Sequence, residues 1–423
     1  MDNNVLNSPA IDIPSSGRAF GRPLKAFIFT KLFAYTQSAF AQFLINIYFW
    51  RITKNIPFLV LYNVIFLLFH TLTYLPAGKI AKERNRFLPL RFGVILQIAY
   101  LLLIIFLRGN IVHYIIPIAI IGGIAHGAYW FSDNLLKFDL THPENRLKFT
   151  ATCNIMQSAA NSVVPLLASI LVVADGGIFS SYARVFILAI IFAGLVLASS
   201  FYIPAKKKID SSPFNFFVSA RKLLRNRNIR IACFSSAFRY ISSALPILIG
   251  LLLFISSGTE LYLGGYQFIT VLIVMITNYI MGRYFSRKNY RALLIWGGIT
   301  NFVLVFILFI SQSYTAILLY GILGALFSFL NAPTYPIIQN ALSMYSTEEK
   351  ECVAHRAEYM VLIEIFTSAG AILGFGVLLL ISNFLNKWLI GGIIALFALT
   401  DLFTNIYLTK IKDGLYSRID QLN

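Results

Sequence analysis

Few ionisable side chains interrupt the long apolar runs of this sequence: Lys31, Asp133, Arg239, Glu364 and Asp401. A charge inside such a run is costly in a low-dielectric surround, so each is a functional candidate by default. Arg239 and Glu364 each lie eight or nine residues into their runs, roughly 12–13 Å deep at 1.5 Å per residue. Arg239 could be a fixed cation for an anionic group, or the partner of Glu364. A paired carboxylate stays ionised, whereas an unpaired one in low dielectric is pushed towards protonation. Glu364 could therefore take up and release a proton as its contact with Arg239 alternates; a static structural ion pair is the competing reading. Asp133 ends its run close to the basic stretch Ala77–Arg86, and is expected to latch onto Arg84 or Arg86. Lys31 is expected to snorkel to the nearby interface.

The elements that must position these groups are membrane spans. Of the 423 residues, 58% are hydrophobic and only 12% charged, against about 25% charged in ordinary soluble domains. Apolar runs long enough to cross a bilayer as helices fall at 26–50, 56–77, 90–107, 113–134, 149–173, 181–204, 231–256, 263–285, 291–311, 314–337, 357–382 and 388–409. A cytoplasmic N-terminus puts 28 of the 35 Lys and Arg residues on the inner side and five on the outer. The strong inner bias predicts that both termini are cytoplasmic, and it accounts for the net charge of +18 without nucleic acid. The chain divides into a tail (1–25), a six-helix half (26–204), a basic central loop (205–230), a second six-helix half (231–410) and a tail (411–423). Residues 1–25 lack an early apolar core, so the first span is expected to direct insertion. In the central loop, Ser212-Pro213 reads as a helix start. Phe214, Phe217, Val218 and Leu224 follow near helical spacing beside Arg221, Lys222 and Arg225, which predicts an amphipathic helix on the inner leaflet. Trp50 and Trp388 read as interface anchors. Three cysteines, two of them inside spans, give no disulfide framework.

The two halves echo one another. Gly78-Lys-Ile-Ala-Lys-Glu-Arg-Asn85-Arg86 follows span two, and Gly282-Arg-Tyr-Phe-Ser-Arg-Lys-Asn289-Tyr-Arg291 follows span eight, 204 residues later. Tyr35-Thr-Gln-Ser38-Ala39 is echoed by Tyr240-Ile-Ser-Ser243-Ala244, and Gly127-Ala-Tyr-Trp-Phe-Ser-Asp-Asn134 by Gly324-Ala-Leu-Phe-Ser-Phe-Leu-Asn331. Scaffold residues should recur in both halves, and substrate chemistry should break the symmetry. Asp133 corresponds to Leu330, Arg239 to Ala34 and Glu364 to Asn154, so three of the buried charges are unmatched.

Two parallel six-helix halves, a basic central loop and a Gly-plus-cation motif after spans two and eight resemble the major facilitator superfamily, over residues 26–410. The superfamily's loop motif runs roughly Gly-x-x-x-Asp-Arg-x-Gly-Arg-Arg. Gly78 and Arg86 fit it, Lys82 stands where the acid is expected, Glu83 follows one place late, and Asn85 replaces the second glycine. The second copy keeps Gly282 and Arg287, with Ser286 in the acid's place. The resemblance implies an all-α fold of twelve transmembrane helices in two pseudo-symmetric bundles. It also implies a cavity surrounded by spans one, four, seven and ten, which ranks Arg239 and Asp133 first and leaves Asp401, on span twelve, peripheral. Tyr35, Asn63, Tyr129, Asn154, Gln157, Tyr240, Gln267 and Tyr335 are candidates for the cavity wall, although interhelical hydrogen bonding explains any one of them as well. Pro165 reads as a helix kink, and Gly370, Gly374 and Gly376 as close-packing positions.

The resemblance implies a secondary transporter in the bacterial cell membrane, acting as a monomer in lipid and moving a small organic solute by alternating access with protons as the coupling partner. Efflux and uptake both fit. A lipid or glycolipid flippase is the narrower variant of the same fold; a membrane-embedded enzyme and a transport-dead sensor are the alternatives from other classes. No phosphate-binding loop, no Asp-x-Asp and no outer loop large enough for a catalytic domain occurs in the sequence, so no enzyme, cofactor or metal is expected.

Overall fold

The structure is a computed structural model that describes residues 21–141, 143–174, 177–203, 213–284, 290–334, 337–338, 341, 354–381 and 387–411. Among these, every regular element is helical. That is what a bilayer demands, because a helix satisfies its own backbone where no water can. The first half comprises α1 (Arg22–Thr53), α2 (Ile56–Glu83), α3 (Phe87–Leu107), α4 (Ile115–Asp139), α5 (Pro143–Val173) and α6 (Ile178–Ser200). A short α7 (Phe216–Arg225) follows, then α8 (Arg227–Ile241), α9 (Leu245–Ser257), α10 (Glu260–Tyr284), α11 (Tyr290–Ile310), α12 (Tyr314–Leu326), α13 (Arg356–Ile381) and α14 (Lys387–Leu408).

Local chemistry sets the helix ends. Asn55 caps α2 through its side chain, which accepts from Phe58 N–H at 3.0 Å. Gly258 closes α9 at φ 74° with its N–H on the Phe254 carbonyl at 2.8 Å, a left-handed position that glycine adopts without a Cβ penalty. Large apolar side chains such as Phe106, Trp296 and Leu380 remain exposed on the outer surface of the bundle, as lipid contact requires.

Two spans expected to be continuous are broken. Span seven is α8, a 3-10 turn over Ser242–Ala244, and α9. Pro246, near the start of α9, has no N–H to donate back into the preceding turn. In span ten, α12 stops at Leu326 and a 3-10 turn runs over Ser328–Asn331. The central-loop helix is present but starts later than the sequence suggests. Asn215 caps it by accepting from Val218 N–H at 3.4 Å, and Ser212 lies outside the described residues. Its Phe217 and Val218 are exposed, and Ala220 and Leu223 are buried against α8.

Within the first half α2 packs on α4, α1 on α6 and α3 on α4; within the second α11 packs on α14 and α8 on α13. The halves meet where α5 packs on α10 and α2 on α13. Two glycines set critical spacings. A Cβ at Gly127 of α4 would strike the His70 carbonyl of α2, and one at Gly374 of α13 would strike the Ile241 carbonyl at the break in span seven. Lys82 and Arg86 mark the basic face of the bundle.

Candidate functional site

The α2–α13 contact carries the most informative constellation. Glu364 does not meet Arg239. Its Oε1 lies 3.0 Å from His70 Nε2 and accepts from Ser368 Oγ at 3.0 Å. His70 Nδ1 faces His126 Nδ1 at 3.0 Å, and His126 Nε2 accepts from Trp130 Nε1 at 2.5 Å. Gln42 Nε2 also approaches His126 Nε2, at 3.1 Å. Gly127 brings α4 against the His70 backbone and so holds the two imidazoles together.

One set of tautomers satisfies the chain from Trp130 to Glu364. An indole N–H can only donate, so His126 Nε2 is an acceptor. Neutral His126 therefore carries its proton on Nδ1 and gives it to His70 Nδ1. His70 in turn carries its proton on Nε2 and gives it to the Glu364 carboxylate. The result is a directional chain from Trp130 through two imidazoles to one acid, and its last bond crosses between the halves. Adding a proton to His70 would set two N–H groups face to face with His126. Adding one to Glu364 disturbs only the cross-half bond. His70 is a polar residue within span two, and the sequence signal for His126 is its position beside Gly127, inside Gly122-Gly123-Ile-Ala-His126-Gly127.

The other charges also find partners the sequence did not indicate. Asp133 is bound to Lys31 at 2.7 Å, with side-chain exposures of 0% and 1%, and to Lys137 at 3.2 Å. Lys31 therefore does not snorkel: the ring of Tyr35 lies 4.5 Å from its ammonium and that of Trp130 5.4 Å. Asp133 does not meet Arg84 or Arg86, because its carboxylate is taken by Lys31 and Lys137 of the same half. The acid that meets Arg86 is Asp139, at 2.8 Å, and Arg356 of the second half reaches the same carboxylate at 2.9 Å. Arg84 is exposed.

Around Gly78 the basic face is closed by cross-half contacts. Lys82, standing where the family motif has an acid, pairs with Glu358 at 2.6 Å and donates to the Ala354 carbonyl at 2.8 Å. The charges are thus exchanged between the motif and its partner. Glu83 accepts from Phe214 N–H at 3.4 Å, and the Phe214 ring covers Gly78 at 3.0 Å from where a Cβ would stand. In the second motif Gly282 lies in α10 and Arg287 lies outside the described residues. On the opposite face Arg51 of α1 binds Glu260 of α10 at 2.5 Å, and Tyr182 of α6 donates to Glu260 at 2.6 Å.

Of the suggested wall residues, Tyr35 and Tyr129 are buried in the first half, and Asn63 donates to Asn46 at 3.0 Å. Asn154 and Tyr240 are exposed, Gln157 and Gln267 are half-buried, and Tyr335 lies outside the described residues. Arg239 acts electrostatically on Asp401, whose Oδ1 accepts from Ser242 Oγ at 3.0 Å. Asp401 is therefore not peripheral, because the break in span seven turns Ser242 towards it.

The fold has close precedent. The Escherichia coli fucose:proton symporter covers 92% of the chain and 99% of its own length at a TM-score of 0.65 and 14% identity. A bacterial homologue of the iron transporter ferroportin, in its outward-facing state, covers 92% and 99% at a TM-score of 0.67 and 15% identity. In sequence, the chain is 26% identical over 355 residues to the Bacillus subtilis protein YqgE, spanning 82% of this chain and 80% of that one. A Geobacillus stearothermophilus protein encoded 3′ of sodM is 30% identical over 128 residues, 30% of this chain and 60% of that one. The family model of the Major Facilitator Superfamily matches residues 27–351. With that match across most of its length, the chain belongs to the Major Facilitator Superfamily of membrane transporters.

Proposed function

We propose that the protein is a secondary transporter that moves a small organic solute by alternating access, with Glu364 as its proton-coupling group. The supporting observation is the hydrogen-bond chain Trp130–His126–His70–Glu364, whose final bond joins α2 of one half to α13 of the other. An ionised Glu364 accepts from His70 and Ser368 and holds the halves together there. Once protonated it loses its charge, and a charge-assisted bond becomes an ordinary one of about half the strength. Proton binding thus loosens the contact along which the halves rock, as alternating access requires. Arg239 acts on Asp401 in this scheme, not on Glu364. The inner gate is Lys82–Glu358 with Arg86–Asp139–Arg356, and the outer gate is Arg51–Glu260.

Purified protein in liposomes with an internal pH dye, screened against small organic solutes under an imposed solute gradient, tests this reading. Solute-dependent proton movement that vanishes in Glu364→Gln, with solute exchange retained, is the expected result. Undiminished proton movement in Glu364→Gln refutes the coupling role.

A further inference from the structure

A second polar constellation lies inside the C-terminal half, apart from Glu364. There α9, α10, α11, α12 and α14 bound a cavity of about 250 Å³. Tyr266, Asn301, Tyr320 and Asp401 supply its polar lining, and Leu245 and Val305 part of its apolar wall. The break in span seven builds one side: Ser242 of the 3-10 turn donates to Asp401 Oδ1 at 3.0 Å, and Leu245 opens α9 at the wall. Among the described residues, Asp401 Oδ2, the Asn301 amide and both tyrosine hydroxyls have no hydrogen-bond partner. Nor does any described cation come within ion-pair distance of Asp401, since Arg239 acts on it only from farther away.

Polar groups inside a membrane bundle are costly unless satisfied. Four of them converging on one cavity favour a polar occupant. Water could serve the hydroxyls and the amide, but a carboxylate with no ion-pair partner favours a cation. The cavity is far larger than a bare metal ion fills. An organic ammonium ion matches the lining better. Its N–H groups find acceptors in Asp401 Oδ2, the Asn301 carbonyl and the tyrosine hydroxyls. The rings of Tyr266 and Tyr320 attract a cation, and Leu245 and Val305 accept its carbon portion.

We infer that this cavity is a binding site for a small organic ammonium ion, with Asp401 as its counter-charge. The site is separate from Glu364 and His70 and stands whether or not Glu364 carries protons.

Thermal unfolding and calorimetric titration of the detergent-purified full-length chain test it, with benzylammonium chloride, benzyl alcohol and sodium chloride as probes. Benzylammonium is expected to bind saturably and raise Tm, while benzyl alcohol and sodium do not. Asp401→Asn and Tyr320→Leu, each confirmed as folded by its elution and unfolding profile, should weaken benzylammonium roughly tenfold or more, the scale of a lost charged hydrogen bond. Leu380→Ala, on the exposed outer surface of the bundle, should bind it as wild type does. Absence of benzylammonium binding, equal stabilisation by benzyl alcohol, stabilisation by sodium alone, or undiminished binding in the folded variants would each overturn the inference.

Discussion

At the scale of single residues, the buried pair Lys31–Asp133 and the acid Glu364 behave differently. Lys31 and Asp133 satisfy each other within one half, so the pair is structural. Asp133→Asn is expected to lower stability by about 3–5 kcal/mol, because it strands a buried ammonium; the double variant Lys31→Met with Asp133→Leu should recover most of the loss. Thermal unfolding of the three proteins measures this, and a double variant as unstable as Asp133→Asn contradicts it. Glu364 was legible as a candidate because carboxylates in apolar runs are rare. Its partner was not, because His70 and Glu364 are 294 positions apart and meet only through the crossing of α2 and α13. Matching depth suggested Arg239, but depth fixes one coordinate and helix rotation fixes the others. The same limit hid Asp139, which lies six residues beyond the acid first suggested as the latch.

At the scale of elements, the twelve apolar runs and the duplicated Gly-plus-cation motif were visible because membrane length and charge placement are one-dimensional signals. The breaks in spans seven and ten were not visible in hydropathy, since each 3-10 turn is only three or four residues within a long apolar run; Leu245-Pro246 was the local clue to the first. Gly127 shows what the small-residue pattern does. It sets the α2–α4 spacing, and with it the contact between His70 and His126. Gly127→Ala should cost about 1–3 kcal/mol by overpacking and should change proton-linked transport more than Gly376→Ala, where a Cβ meets nothing within 4 Å. Equal effects of the two substitutions on stability and transport would show that the spacing is not critical. Phe214 ties α7 to Gly78 in the same manner, so the central loop helps to close the basic face as well as joining the halves.

At the scale of the whole molecule, the halves are pinned at both faces: Lys82–Glu358 and Arg86–Asp139–Arg356 on the basic face, Arg51–Glu260 on the other. Charge reversal separates gates from ornaments. Lys82→Glu alone should abolish most transport by opposing two buried acids, and Lys82→Glu with Glu358→Lys should restore it; failure of the double variant, when folded, would mean that the pair does more than close the gate. Between the two gates lies the bond from His70 to Glu364, the central claim of this account. The most direct test needs no knowledge of the solute. Spin labels at Val112→Cys and Thr315→Cys, with the native cysteines replaced, report the separation of the halves on the face opposite the basic one as a function of pH. Protonation of Glu364 would weaken the cross-half bond, so the wild-type distance distribution should shift once the pH is low enough to protonate it. Glu364→Gln should hold the low-pH distribution at every pH. A Glu364→Gln distribution that still shifts with pH as the wild type does would contradict the claim.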